Sequence, residues 1–248
     1  MTLLHTLRGL ASTGRISVPT VIDAALGRVT TARCDERLDW WSRELLRDAE
    51  VILTVRGQEH AEQGDGKEPF VVMSNHQSLY DIPVIFCAMP GRVRMVAKSE
   101  LFKVPIWGAA MAAAGFIRID RSDREQAMKS LRESGSMLKD GTHVWIAPEG
   151  TRSVTGALGP FKSGGFRMAL ETGSRILPVA IEGTRDILPA KGAIVRTNKH
   201  VTVTICPPID PRAYGLDRRK ELMADVRAAI EGALGGSSAV GKSRDQAA

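Results

Sequence analysis

The chain has 248 residues, 43% of them apolar, and carries a net charge of +6 with a pI near 9.5. This is enough for one well-buried α/β core or at most two small domains, and the apolar content excludes a disordered chain. The positive charge is scattered and only two Tyr and six Phe are present, so anionic partners such as a phospholipid surface or phosphorylated substrates are favoured over a nucleic-acid groove.

Residues 1–50 read as helical and unlike the rest. Leu3, Leu7 and Leu10 share one helical face. Val18, Ile22, Ala25, Leu26 and Val29 form a second stripe, with Pro19 near its start, where a proline is tolerated. A third helix is expected from Glu36 to Ala49, with Leu38, Trp41 and Leu45 on one face and Trp40 and several arginines around it. Its pattern suits a membrane interface and core packing equally, and amphipathicity does not separate the two. Beyond residue 50, apolar runs read as strands at Val51–Val55, Phe70–Met73, Val93–Ala97, Phe116–Ile119, Val144–Ala147, Ile176–Ile181 and Val201–Ile205. Helical patterns separate most of them: Ile82–Ala88, Leu101–Ala114, Arg124–Lys139, Gly164–Glu171 and finally Arg218–Leu234. The fold class is therefore α/β, a mostly parallel central sheet covered by helices on both faces, preceded by an N-terminal helical membrane-associating segment. The expected organisation is an amphipathic segment at 1–50, a main domain at 51–234 and a disordered Gly/Ser-rich tail at 235–248.

Three cysteines, Cys34, Cys87 and Cys206, lie far apart without a CxxC pair, which suits a reducing compartment. The longest uncharged stretch, Val104 to Ile117, has 14 residues, short of the ~20 that a spanning helix needs. The first residues lack a secretory pattern, so the expectation is a chain that sits on a membrane without crossing it.

Two strand ends carry chemistry. After Phe70–Met73 the turn holds His76, and Asp81 follows five positions later. In an open α/β fold such a turn lines the crevice beyond the carboxyl ends of the strands. There a neutral imidazole can take a proton from a hydroxyl while a carboxylate fixes its tautomer. No third metal ligand stands at a recognisable spacing, so a metal site is the poorer reading. After Val144–Ala147 comes Pro148-Glu-Gly-Thr-Arg-Ser153, where Glu149 suits a polyol's hydroxyls and Arg152 a phosphate, although such a segment also reads as a plain tight turn. Arg118, Arg121 and Arg124 surround a further strand end, either as a phosphate clamp or as surface charge. Gly236 to Ser243 matches a phosphate-loop pattern but follows a helix instead of a strand, a chance match.

These blocks, in this order, resemble those of the glycerolipid acyltransferases, in particular the bacterial 1-acyl-sn-glycerol-3-phosphate acyltransferases. The first block corresponds to Asn75, His76 and Asp81, and the second to Gly115, Ile117, Ile119, Asp120 and Arg121, with Arg118 where the family commonly has an aromatic. The third spans Ala147 to Ser153, with Ala147 replacing a Phe, and the fourth falls at Pro178. Lys98, Pro105, Gly108 and the Phe161–Gly164 stretch also look like family elements, and the resemblance runs roughly from Val51 to Ala229. It implies His76 as general base and Asp81 as its support, with Arg121, Glu149, Gly150, Thr151, Arg152, Lys98 and Pro178 binding substrate. The implied donor is an acyl thioester of coenzyme A or acyl carrier protein. The implied acceptor is a lysophospholipid, and no cofactor is implied. The expected location is peripheral, at the cytoplasmic face of the inner membrane. The chain has no Gly-x-Ser-x-Gly elbow, which points to direct transfer without an acyl-enzyme. Other acceptors, among them glycerol 3-phosphate, another lysophospholipid or a lyso-ornithine lipid, remain open. So do a thioesterase and a non-catalytic membrane binder.

Overall fold

A computed structural model describes residues 2–62, 68–120 and 123–242. Seven strands, β1 (Ile52–Arg56), β2 (Val71–Ser74), β3 (Arg92–Lys98), β4 (Ile117–Ile119), β5 (Thr142–Ile146), β6 (Ile176–Glu182) and β7 (His200–Ile205), form one sheet in the order β1-β7-β6-β2-β5-β3-β4. All pairings are parallel except β6 with β7, so β1 and β7 run against the other five. The strands fall within two residues of the apolar runs that predict them. Their side chains alternate between two cores, as a period of two requires. Val72, Trp145, Leu177 and Val203 face one core with the helices α2 (Thr31–Asp48) and α3 (Asp81–Ala88). Val71, Val144, Ile146 and Ile176 face the other, with α5 (Arg124–Lys139), α6 (Gly164–Thr172) and α8 (Arg219–Lys242). The remaining helices are α1 (Thr2–Ala25), α4 (Trp107–Ala113) and the single turn α7 (Thr184–Ile187).

β3 is shared between two partners. Arg92 to Met95 pair with β5, and Val96 to Lys98 pair with β4. The sheet forks where β3 leaves β5, after the Met95–Trp145 pair.

The N-terminal region differs from its sequence reading in one way and resolves it in another. The first stripe and Val18, Ile22 and Ala25 of the second lie on one helix, α1, with Pro19 inside it, while Leu26 and Val29 fall beyond its end. Proline removes a backbone donor there, but bonds on both sides of it fix the helix to α2. Trp41 Nε1 donates to Thr13 Oγ1 at 3.0 Å, and Arg37 donates to Thr20 Oγ1 and to Asp23. For α2 the core-packing alternative holds: Leu38, Trp41, Leu45 and Leu46 are all buried. Its arginines are paired as well, Arg37 with Asp23, Arg43 with Asp39 and Arg47 with Glu44.

The helix expected over Leu101–Ala114 is broken. A 3₁₀ turn covers Ser99–Lys103, and α4 starts only at Trp107, because Pro105 and Ile106, the latter at φ 64°, interrupt the ladder. At the other end α8 continues to Lys242, although the reading ended it at Leu234 and began a disordered tail at 235. Extending an existing helix avoids the nucleation cost, and each glycine then costs only ~1 kcal/mol against alanine. Residues 236–242 of the phosphate-loop look-alike are thus helical and form no cradle for an anion.

Near the amino end of β5, at the opposite end of the strands from the turn after β2, His143 is buried and stacked on Phe70 at 5.7 Å, with its Nδ1 accepting the Phe70 N–H at 3.0 Å. Burial pushes its pKa down to about 4. The unfolded chain binds this proton near pH 6.5 and the folded one near 4, so His143's contribution is full above pH 6.5 and is lost as pH falls through that window. The loss amounts to roughly 3 kcal/mol. Urea midpoints measured from pH 7 to 4 should fall accordingly. His143→Asn, which retains an acceptor for the Phe70 N–H, should flatten that slope while lowering stability uniformly.

Candidate active site

β2 ends at Ser74, where its ladder with β6 stops at Val179. The Asn75 side chain takes the place of the missing ladder: its Nδ2 donates to Ile181 O and its Oδ1 accepts Ile181 N–H, both at 2.8 Å. Gln77 Nε2 adds a bond to the same carbonyl at 2.6 Å. The turn after β2 is thereby tied to β6, with His76 projecting from it at the carboxyl end of the strand.

Asp81, the first residue of α3, lies behind the histidine and has no exposed surface. Its Oδ2 is 2.7 Å from His76 Nδ1 and accepts the Gln77 and Ser78 N–H groups at 2.8 and 2.9 Å. An ionised carboxylate only accepts, so Nδ1 carries the hydrogen and the lone pair of Nε2 faces outward. The ring meets Trp145 edge-on at 6.2 Å, and the indole is itself held by Ser74 Oγ at 2.9 Å. The imidazole is thus fixed in tautomer and orientation by the protein alone.

Glu149 was expected to bind the acceptor's hydroxyls. The structure instead engages both of its oxygens with backbone, Oε1 with His76 N–H at 2.9 Å and Oε2 with Gly159 N–H at 2.8 Å. Ser153 N–H also donates to His76 O at 2.7 Å. The loop after β5 therefore clasps the backbone of His76, and the buried carboxylate serves as that clasp. A Cβ at Gly159 would stand 2.9 Å from Glu149 Oε2 and push the carboxylate out of this clasp.

An open groove of about 330 Å³ lies in front of His76. Lys98, Thr151 and Arg152 line it together with the apolar Leu79, Met95 and Trp145. Lys98 pairs with Glu100 at 2.8 Å, and Arg152 makes no ion pair among the described residues. The sequence-predicted residues therefore separate by place. His76, Lys98, Thr151 and Arg152 share the groove, while Asp81 and Glu149 stand behind it. Gly150, at φ 71°, lines an adjoining cavity. Pro178 does not reach the groove: it is buried within β6, paired with Met73 of β2, and its carbonyl accepts Cys206 N–H. A strand interior leaves it no surface for substrate. Arg121 falls outside the described residues, and Arg118 is exposed on β4.

Thr184 is the site residue that sequence reasoning missed. Its buried hydroxyl donates to Asp81 Oδ1 at 2.5 Å from the opening residue of α7, 103 positions away. The only local signal was a Thr after Gly183, which reads as a turn. Thr184→Val leaves Oδ1 without its donor and lets the carboxylate turn. Bonds to charged groups are worth ~1.5–3 kcal/mol, so kcat should fall about tenfold with acceptor KM unchanged, and Thr184→Ser should restore it. Steady-state kinetics on the pair of variants checks this.

Comparison with known proteins fits this geometry. A family model described as Acyltransferase matches residues 52–182, more than half of the chain. The chloroplastic 1-acyl-sn-glycerol-3-phosphate acyltransferase BAT2 of Brassica napus is 34% identical over 155 residues, covering 62% of this chain and 44% of that protein. The alpha enzyme of the same description from Homo sapiens is 34% identical over 178 residues, 71% of this chain and 62% of the relative. The chain thus spans less than two thirds of the length of these relatives. Among solved structures, the 1-acyl-sn-glycerophosphate (LPA) acyltransferase PlsC of Thermotoga maritima superposes with a TM-score of 0.75 at 25% identity, over 93% of this chain and 95% of that one. On the family match over residues 52–182 and the agreement in fold, the chain belongs to the acyltransferase family.

Proposed function

We propose that this protein transfers a fatty acyl group from a thioester, of coenzyme A or acyl carrier protein, to the 2-hydroxyl of a 1-acyl-glycerol 3-phosphate, producing phosphatidate for phospholipid synthesis. The observation that carries the reading is the joint placement of an oriented imidazole and a free guanidinium, His76 and Arg152, in one groove with apolar walls. His76 Nε2 takes the hydroxyl proton as the oxygen attacks the thioester carbonyl. The tetrahedral intermediate then breaks its C–S bond, and the imidazolium returns the proton to the leaving thiolate. No serine or cysteine lines the groove among the described residues, which favours direct attack over an acyl-enzyme. Arg152 and Lys98 suit the acceptor's phosphate, and Arg121 is assigned there by family resemblance. A water acceptor, as in a thioesterase, would need no phosphate clamp of its own.

The same reading places the protein on a membrane, at the cytoplasmic face of the inner membrane. No described helix is long and apolar enough to cross one. α1 is apolar outside and polar inside. Leu3, Leu7, Leu10, Val18 and Ile22 are exposed, whereas His5, Ser12, Ser17 and Thr20 are buried against the protein. Water is a poor solvent for such a face, and a lipid interface is a good one. Arg8 and Arg15, also exposed, suit anionic headgroups.

The test is a purified-enzyme assay of labelled acyl-thioesters against 1-acyl-glycerol 3-phosphate, glycerol 3-phosphate, other lysophospholipids and a lyso-ornithine lipid. The proposal expects the first to be the best acceptor by kcat/KM. A stronger preference for another acceptor, or release of free fatty acid with all of them, overturns it.

A further inference from the structure

Side chains at the fork in the sheet stand between the groove that holds His76 and a second cavity. Behind the carboxyl end of β5, on the face covered by α5 and α6, lies a space of about 330 Å³ walled by Ile119, Ala127, Met128 and Leu131. Three residues, Val96, Ile146 and Ala147, line both this cavity and the groove that holds His76. Two of them flank the fork. Val96 is the first residue of β3 to pair with β4 instead of β5, and Ile146 is the last residue of β5. No ladder bond closes the sheet there. The partition consists of side chains, and the smallest is Ala147, at a position where the resembling family commonly carries Phe.

The mouth of the cavity is polar and belongs to the loop after β5. Pro148, Gly150, Lys162 and Ser163 line it. Thr151 and Arg152 of the same loop turn into the catalytic groove. A molecule whose phosphate is held by this loop therefore has an apolar space beside it. An apolar cavity of only ~150 Å³ already stays dry and admits benzene, so one of this size suits a flexible hydrocarbon.

We propose that this cavity receives the acyl chain already carried by the acceptor, and that Ala147 sets the opening through which that chain passes. The inference rests on the acceptor being a 1-acyl-glycerol 3-phosphate. The acceptor's chain is favoured over the donor's because the cavity mouth and the guanidinium assigned to the acceptor's phosphate lie on one loop. Each methylene withdrawn from water is worth ~0.8 kcal/mol, about fourfold in affinity, so occupancy makes acceptor use steeply dependent on chain length.

The experiment compares wild type with Ala147→Phe, which narrows the opening, and Ala127→Leu, which fills the far wall and touches only the second cavity. Acceptors carrying hexanoyl and octadecenoyl chains are assayed in mixed micelles with one fixed donor, and donors of graded length with the hexanoyl acceptor. Both variants should lose at least tenfold in kcat/KM on the octadecenoyl acceptor relative to the hexanoyl one, and Ala127→Leu, which does not line the groove, should stay within threefold on the hexanoyl acceptor and leave the donor profile unchanged. Equal losses on both acceptors, an unchanged acceptor profile, or a shift that follows donor length each overturn the proposal. If Ala147→Phe does not fold, Ala127→Leu alone decides between these results. A wild-type enzyme that uses neither 1-acyl acceptor would instead refute the acceptor assignment itself.

Discussion

Asp81→Asn should lower kcat about 10³-fold while leaving His76 in its working tautomer. Asp81 Oδ2 faces three donors, His76 Nδ1–H and the Gln77 and Ser78 N–H groups. An asparagine there must place its oxygen toward them, because its NH₂ would meet three hydrogens. The NH₂ then lies at the Oδ1 position, where the Thr184 hydroxyl can reverse and accept. Nδ1 keeps its hydrogen, so the loss reports the missing negative charge beside the imidazolium that forms during attack. Two charges ~4 Å apart at an effective dielectric of ~20 interact by about 4 kcal/mol, which is about 10³ in rate. Measured kcat, with circular dichroism to verify the fold, tests this. A loss under tenfold would mean that Asp81 only orients the ring.

A comparable effect is expected on membrane binding. Leu3, Leu7 and Leu10 are each more than half exposed and lie on one face of α1. Each leucine moved from water into lipid contributes ~1.5–3 kcal/mol. Replacing all three with lysine should therefore reduce partitioning by 10³-fold or more in a sedimentation assay on zwitterionic phosphatidylcholine–phosphatidylethanolamine vesicles, where the new charges gain no headgroup attraction. Because their side chains touch solvent, the melting temperature should hardly move. Trp41, which sequence pattern alone also offered to the membrane, is buried against α1 through its bond to Thr13. Trp41→Phe should accordingly leave vesicle binding intact. Binding by the triple-lysine variant equal to wild type would remove α1 as the docking face.

The parts of this molecule that sequence made legible are those set by local pattern. Buried strands of Val, Ile and Leu ended by turn residues were readable one by one, and the chemistry-bearing turn after Met73 stood at the end of such a run. Long-range geometry was not readable. Nothing near β7 announces that it and β1 run against the other strands, because an apolar strand pattern reads alike in either direction. Glu149 seemed available to substrate, since its partners His76 and Gly159 are brought to it only by folding. Thr184 reaches Asp81 across 103 residues, and the fork at Val96 depends on two ladders that a single strand does not encode. Pro19 misled in the opposite direction: a local helix breaker is held inside α1 by tertiary bonds from Trp41 and Arg37.

The central claim is that His76 removes the acceptor's proton. Its most direct measurement uses labelled acyl-thioester and 1-acyl-glycerol 3-phosphate with purified wild-type and His76→Ala proteins, both shown to be folded and vesicle-bound. Wild type should place the label in phosphatidate, and the variant should be slower by at least 10²–10⁴-fold, since no other described side chain of the groove offers an imidazole or a carboxylate. Transfer by His76→Ala at a rate near that of wild type would contradict the account.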